Sequence, residues 1–337
     1  MSALRRKAVA LFCGCGGLAL GFRNAGFEIV AAFDNWEPAL SVFRRNFPGT
    51  QILNRDLGNL NGSYAIMAQY DPYVIIGGPP CQDYSHAGKR NEDLGRADLT
   101  VRFAEIVAGV RPLWFAMENV DQIVNSQRLM KARDTLRKSG YGLTEKILNA
   151  SLCGVPQIRK RYFMVGRLDI HDGFLSEYLE SKLAIEPMSV RQYMGDILNI
   201  EHYYRHPRTY GRRAIFSIDE PSPTIRGVNR PIPKNYRGHP GDKAPISTNV
   251  RPLTTSERSY VQTFPKDFIF EGAKTDLEQM IGNAVPVKLA EFVAESMVSF
   301  SRKHIEFEEA FTREERQSKQ HQLSFYDDTL ILATRRE

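Results

Sequence analysis

The stretch AVALFCGCGGLALGFRNAGFEIVAAFD, Ala8 to Asp34, carries the reading of the fold. Ala8 to Phe12 is an apolar run that predicts a strand, Gly17 to Ala25 has helical period, and Glu28 to Phe33 predicts a second strand. That order is a βαβ unit. Its turn, Gly14-x-Gly16-x-x-Ala19, lets the backbone bend tightly and approach a ligand where side chains would block it. Asp34 closes the second strand about 20 residues past the turn, the spacing at which a carboxylate meets ribose hydroxyls. On these residues alone a nicotinamide or flavin dinucleotide is one occupant of the turn among alternatives. Cys13 and Cys15 read as small turn residues rather than ligands.

A second decisive stretch is Gly77 to Ser85, GGPPCQDYS, after the apolar run Tyr73 to Ile76. A β-branched run stopped by two glycines and two prolines predicts a buried strand ending in a rigid loop, with Cys81 at the carboxyl end. Ligands bind on that rim of an open α/β sheet, so the position suits a nucleophile, whereas a lone cysteine in a turn also suits a small buried hydrophobe. Asp56 follows a short strand, Gln51 to Leu53, as a binding carboxylate or a solvated strand end. Asp98 to Val110 has helical period, and its Leu99 lines a cofactor pocket or belongs to the core. The strand Leu113 to Met117 runs into Glu118, Asn119 and Val120. A surface helix over Gln127 to Ser139 and a strand over Leu143 to Leu148 follow, then Gln157-x-Arg159-x-Arg161 before the strand Tyr162 to Gly166. Alternation places both arginines on one face.

The chain's 337 residues suffice for one large domain and a smaller one. With 42% hydrophobic and 25% charged residues, collagen-like and disordered readings are excluded. The net charge of +6 is unevenly spread, because His202 to Arg251 holds ten Lys and Arg against three Asp and Glu. Seven of the eighteen prolines fall in the same span, with Tyr203, Tyr204, Tyr210 and Tyr236. A basic, proline-rich segment without long helices suits groove binding, with cations on phosphates and a few side chains on base edges. Four cysteines show neither zinc-site spacing nor disulfide density, so a reducing cytosol is expected. The basic, apolar amino terminus imitates a signal peptide but is broken by Gly14, Gly16 and Gly17, and no run is long enough to span a bilayer.

The order of these motifs, from Phe12 to about Ala290, resembles the DNA methyltransferases that modify carbon 5 of cytosine. Pro80-Cys81-Gln82 matches the loop that carries that family's attacking thiolate, with Tyr84 where phenylalanine is more usual. Phe12-x-Gly14-x-Gly16-Gly17, Glu118-Asn119-Val120 and Gln157-x-Arg159-x-Arg161 match further motifs. So do Arg251-Pro252-Leu253-Thr254 with Glu257, Gln262, Phe264 and Pro265, and finally Gly282-Asn283-Ala284-Val285-Pro286, which opens a helix from Val287 to Phe300.

The resemblance implies an α/β fold, a Rossmann-like S-adenosylmethionine-dependent methyltransferase sheet with a smaller, loop-rich target-recognition domain. Residues 1–168 would form the catalytic and cofactor-binding domain, completed by 276–303. Residues 169–275 would form the recognition region, and 304–337 a charged tail of no assigned role. S-adenosylmethionine would lie against Phe12, Gly14, Gly16, Gly17, Pro79, Leu99, Asn283 and Val285, with Asp34 on the ribose and Asp56 on the adenine amino group. Cys81 would attack carbon 6, Glu118 engage ring nitrogen 3, Arg161 contact the pyrimidine carbonyl and Arg159 support the cysteine loop. Gln82, Ser85, Thr224, Arg226 and Arg230 would meet DNA, and no metal is required. The substrate implied is a cytosine in a specific double-stranded DNA sequence, protected thereby from a cognate restriction endonuclease, with a monomeric, cytoplasmic bacterial enzyme and no membrane partner. Two alternatives stand beside it. One keeps the chemistry on transfer RNA, and the other is a nicotinamide or flavin oxidoreductase on the same βαβ unit. A catalytically silent DNA-binding protein leaves Cys81 and Glu118 without purpose.

Overall fold

Strand β1 (Lys7–Leu11), helix α1 (Gly17–Asn24) and strand β2 (Glu28–Asp34) realise the βαβ unit, each boundary within one residue of expectation. The computed structural model describes residues 6–58, 63–80, 98–207, 209, 211–246 and 249–304. The chain continues through α2 (Glu37–Asn46), β3 (Gln51–Asn54), α3 (Ser63–Ala68), β4 (Val74–Gly77), α4 (Asp98–Val110) and β5 (Trp114–Val120). Then come α5 (Gln127–Lys138), β6 (Tyr141–Asn149), β7 (Gln157–Ile158) and β8 (Lys160–Leu168). Helix α2 is an addition to the elements expected from sequence. Its Pro38 sits in the first turn, where a missing N–H costs nothing, and Ala39, Leu40, Val42 and Phe43 bury one face.

Seven strands form one sheet in the order β3-β2-β1-β4-β5-β8-β6. Only β8 runs antiparallel to its neighbours; the pairs β1–β2, β1–β4, β2–β3 and β4–β5 are parallel. Strand order reverses between β1 and β4, so the loops leaving their carboxyl ends diverge and open a crevice. The glycine-rich turn leaves one side of that crevice and the loop toward Cys81 leaves the other. The α/β class expected from sequence is the observed one. Alternation along β1 sends Ala8 and Ala10 into one core and Val9 and Leu11 into the other, where they join Phe103, Ile106 and Val107 of α4. The small alanines leave room on their side for α1 and for the final helix.

Beyond β8 the elements shorten. Helices α6 (Ser176–Glu180) and α7 (Val190–Met194) have five residues each, and no longer helix occurs among the described residues of 169–250. Strands β9 (His202–Tyr204), β10 (Ile215–Ser217), β11 (Ser222–Pro223) and β12 (Arg251–Pro252) form two small sheets, β10-β9-β12 and β11-β7. The chain closes with α8 (Thr255–Val261), α9 (Lys274–Asn283) and α10 (residues 287–304). Thr254 and Glu257 form a capping box on α8, and Arg251 donates to both Glu257 oxygens at 2.7 Å. Residues Val287, Leu289, Ala290, Val293, Ala294 and Met297 of α10 share the core of Ala8 and Ala10. No described helix is long and apolar enough to cross a membrane.

Two close approaches hold the small sheets to the large one. Arg258 of α8 and Glu278 of α9 form an ion pair with side chains 5% and 4% exposed, and Thr255 Oγ1 and Asn229 Nδ2 donate to the same carboxylate at 2.8 and 3.2 Å. Burial pushes the Arg258 guanidinium down to about 10. At Gly282 the backbone of Arg226 and Gly227 comes so near that a Cβ would stand 2.2 Å from the Gly227 nitrogen. Alanine is the better helix former by about 1 kcal/mol, but overpacking against a backbone costs about 1–3 kcal/mol. Gly282→Ala is therefore expected to lower the urea midpoint despite improving helix propensity; an unchanged or raised midpoint would contradict the packing.

Candidate active site

The register of β4 on β5 pairs Gly77 with Met117, so the loop leaving β4 starts level with Glu118. A Cβ on Gly78 would lie 3.1 Å from Glu118 Oε2. Asn119 Nδ2 donates to the Pro79 carbonyl at 3.1 Å, and its Oδ1 accepts from the Val120 N–H at 2.8 Å. Asn119 is buried and Pro79 is buried with it, so the loop is anchored two residues before Cys81. Cys81, Gln82 and Ser85 themselves lie outside the described residues. Asn119→Ala removes the anchor and leaves the Pro79 carbonyl without its donor. Expected are a stability loss of about 1–3 kcal/mol and a fall in kcat larger than any rise in KM for the substrate, measured by steady-state kinetics. Unchanged kcat would show that the loop does not depend on this bond.

Strand pairing also brings the cations in. Phe163 stands opposite Glu118 across β5 and β8, and Arg161, two residues along β8, shares its face as the diagonal neighbour. Arg161 Nε and Glu118 Oε1 are 2.9 Å apart, with side chains 15% and 10% exposed. Burial pushes the Glu118 carboxyl up, against the pull of Arg161 and then Arg159. The site therefore holds a carboxyl inclined to keep its proton beside the loop that leads to a thiol.

Arg159 has a different surrounding. It is 1% exposed and donates to the carbonyls of Ile225 (3.1 Å), Gly282 (3.1 Å), Asn283 (3.5 Å) and Ala284 (3.1 Å). Burial, then the like charge of Arg161, press its guanidinium well below the usual range. Its neighbour Gln157, fully buried, accepts from the Ile225 N–H at 2.9 Å and donates to Gln262 Oε1 at 2.7 Å. Gln262 Nε2 continues to the carbonyls of Ile281 and Ala284, while the Gln262 carbonyl accepts from Val287 N at the start of α10. Gln157, Arg159 and Gln262 thus join the segment around Ile225 to the loop at 281–284. Thr224 and Arg226 lie on that segment. The Thr224 hydroxyl donates to the Ile158 carbonyl at 2.8 Å, and Arg226 donates to the His206 carbonyl. Arg230 is exposed.

At the other side of the crevice Phe12 and Gly14 both adopt φ of 51°, a left-handed conformation that is uncommon for a bulky residue and marks the turn as constrained. Gly14 N–H donates to Asp34 Oδ2 at 2.8 Å, and the N–H groups of Asn35 and Trp36 donate to Oδ1 at 2.8 and 2.9 Å. Asp34 therefore clamps the turn to the end of β2, a role its spacing did not reveal. Gly17 meets the last loop, since a Cβ there would stand 2.3 Å from the Val285 carbonyl. Asp56 Oδ1 accepts from Gly58 N at 2.9 Å, and Leu99 Cδ2 comes within 3.7 Å of a Cβ placed on Gly58, so Asp56 and Leu99 share one rim. Asn283 is exposed, two residues before Val285, which is buried. Half-buried Trp36 adds an aromatic surface next to Asp34 that the sequence reading passed over. Cys13 and Cys15 are buried, with burial raising both thiols, Cys15 to about 12.

Comparison with known proteins follows the same lines. The family model described as C-5 cytosine-specific DNA methylase matches residues 7–299. The chain is 57% identical over 300 residues to the Type II methyltransferase M.HindV of Haemophilus influenzae, covering 89% of this chain and 98% of that one. It is 53% identical over 294 residues to the Type II methyltransferase M.HgiDI of Herpetosiphon aurantiacus, covering 87% and 94%. Among solved structures, a prophage-encoded DNA modification methyltransferase from E. coli, described as putative, superposes with a TM-score of 0.64 at 23% identity, over 88% of this chain and 99% of that one. The Dnmt2 methyltransferase of S. pombe superposes with a TM-score of 0.65 at 16% identity, over 88% and 98%; at such identities the likeness speaks for the fold alone.

Proposed function

The chain belongs to the C-5 cytosine-specific DNA methylase family and is a DNA cytosine-5 methyltransferase, and from that premise we propose that it takes the methyl group from S-adenosylmethionine, uses Cys81 as nucleophile, and modifies one cytosine within a specific duplex sequence. The observation that carries the assignment of roles is the buried Glu118, paired with Arg161 and set against Gly78 at the root of the Cys81 loop. Cytosine carbon 5 is too poor a nucleophile to take a methyl group. A thiolate adding at carbon 6 converts the ring to an enamine, and a proton held at ring nitrogen 3 favours that addition. Burial raises the Glu118 pKa against the pull of Arg161 and Arg159, which favours the protonated carboxyl that this step uses. Arg161 orients the carboxyl and offers its remaining N–H groups to the pyrimidine carbonyl. Asn119 fixes the loop root, and loss of the carbon 5 proton frees Cys81.

The rim fits the proposed cofactor. The turn over Phe12 to Gly17 has the left-handed residues that bring backbone close to a ligand, and Asp34 has spent three of the roughly four acceptor positions of a carboxylate, leaving one for a ribose hydroxyl. Asp56, Leu99, Pro79, Asn283 and Val285 complete the proposed lining. When bound, S-adenosylmethionine supplies an electrophilic methyl group on a sulfonium sulfur. The target base must leave the helix to reach Glu118, at a cost of a few kcal/mol, and the basic recognition region supplies the compensating phosphate contacts. Names of the similar proteins place them among Type II methyltransferases, which supports pairing with a restriction endonuclease that cuts the same site; the protein acts as a monomer in the bacterial cytoplasm. Bisulfite sequencing of DNA from cells expressing the protein tests base, position and site together. Protected cytosines at one recurring sequence are expected, and their absence would remove the proposal.

A further inference from the structure

The described basic side chains of the recognition region divide by what they are already bonded to. Arg205 donates to the Thr224 carbonyl, Arg213 is bidentate to Glu220 at 2.9 and 2.8 Å, Arg226 reaches the His206 carbonyl and Arg251 clamps Glu257. All three carboxylates between His202 and Arg251 are occupied too, since Asp219 pairs with Arg191 and Glu220 with Arg213. The third, Asp242, pairs with no cation among the described residues. Its Oδ1 accepts from the Ala214 and Ile215 N–H groups at 2.8 and 2.9 Å, and its Oδ2 from the Tyr236 hydroxyl at 2.6 Å and the His239 N–H at 2.8 Å.

Four donors on one carboxylate close the loop from Tyr236 to Lys243. Gly241 N–H adds a bond to His239 Nδ1 at 2.9 Å, Lys243 N–H one to the Ile215 carbonyl at 3.1 Å, and the Tyr236 ring packs edge-on against Tyr204 with centroids 5.7 Å apart. Gly238, at φ of 80°, turns the backbone immediately after Arg237. Arg237 is exposed and has no hydrogen bond or ion pair among the described residues. A phosphate contact tolerates a loose tether, but reading a base edge needs a side chain held to within about 0.5 Å. The bonds to Asp242 fix the backbone on either side of Arg237, so the side chain starts from a set position, and contact with the base edge would hold its far end. A guanidinium has the planar fork that matches guanine O6 and N7, which an ammonium lacks.

We propose that Arg237 reads a guanine in the major groove of the substrate duplex and that Asp242 is its positioning residue, an assignment resting on the DNA methylation reading above. Loss of a bidentate contact lowers discrimination at one base pair about 5- to 150-fold. The test is methylation of a duplex library with randomised sequence by the full chain and S-adenosylmethionine, followed by bisulfite sequencing. The wild type should give one consensus. Arg237→Ala and Arg237→Lys should relax it at a single G·C position, Asp242→Asn should relax that same position, and Arg230→Ala should weaken methylation at all sequences alike, leaving the consensus intact. A wild type with a clear consensus that both Arg237 variants preserve, or Arg237→Ala losing rate uniformly across sequences, overturns this inference alone. A wild type that methylates no cytosine overturns the activity, and this inference with it.

Discussion

Cys81→Ser is expected to lower methyl transfer by a factor on the order of 10⁶, the scale on which removing a covalent nucleophile costs an enzyme, while duplex affinity stays near wild type. A cysteine thiol near its ordinary pKa of about 8.5 is a few per cent thiolate at neutral pH, and a serine hydroxyl supplies no comparable anion. Without addition at carbon 6 the ring never becomes an enamine, so the substituted protein cannot use its other groups. Duplex affinity generally comes from cations on the phosphate backbone, which the serine substitution leaves untouched. Two measurements separate the effects, namely tritiated methyl incorporation and covalent trapping on duplex DNA with 5-fluorocytosine at the target. The wild type should be trapped in the presence of the methyl donor and the variant should not. A variant that is still trapped, or that keeps a wild-type rate, sinks the nucleophile assignment.

Local pattern made the sheet legible and left its cross-connections hidden. The βαβ unit, α4, β5 and β8 follow from patterns within single segments, whereas α10 and the choice of Cys81 and Glu118 over bland strand-end residues rest on the motifs shared with the cytosine-5 methyltransferases. The contact between Glu118 and Arg161 depends on β8 inserting antiparallel between β5 and β6, which no stretch of sequence carries by itself. Gln157, Gln262, Arg258 and Glu278 look like surface residues in their own segments, yet each is under 5% exposed. Their partners come from distant segments, so burial of these polar groups becomes visible only once those segments meet. Asp34 shows the reverse case. Its spacing suggested a ligand, and the structure shows the same carboxylate also holding the turn. Charge counting marked the basic segment from His202 to Arg251 but could not divide spent arginines from available ones, because pairs such as Arg213 with Glu220 are set by the small sheets.

Glu118→Ala is expected to reduce kcat by about 10² to 10⁴, the range for removing general-acid help, and Glu118→Gln by less, since an amide still donates a hydrogen bond to ring nitrogen 3 but transfers no proton. The order matters as much as the size, because a merely structural carboxylate paired with Arg161 would be replaced better by neither. The pH dependence gives an independent reading. Burial raises the Glu118 pKa over the opposing pull of Arg161 and Arg159, so the active protonated form persists above the usual carboxylate range and is lost as pH rises through the raised value. The thiolate changes in the opposite sense and is gained as pH rises. Wild-type kcat/KM should therefore show an alkaline limb that belongs to Glu118 and an acid limb that belongs to the nucleophile. Glutamine has no proton to lose, so the alkaline limb should vanish in Glu118→Gln while the acid limb remains. If both limbs survive the substitution unchanged, the proton on ring nitrogen 3 comes from another group, and the buried pair with Arg161 serves only to hold β5 against β8.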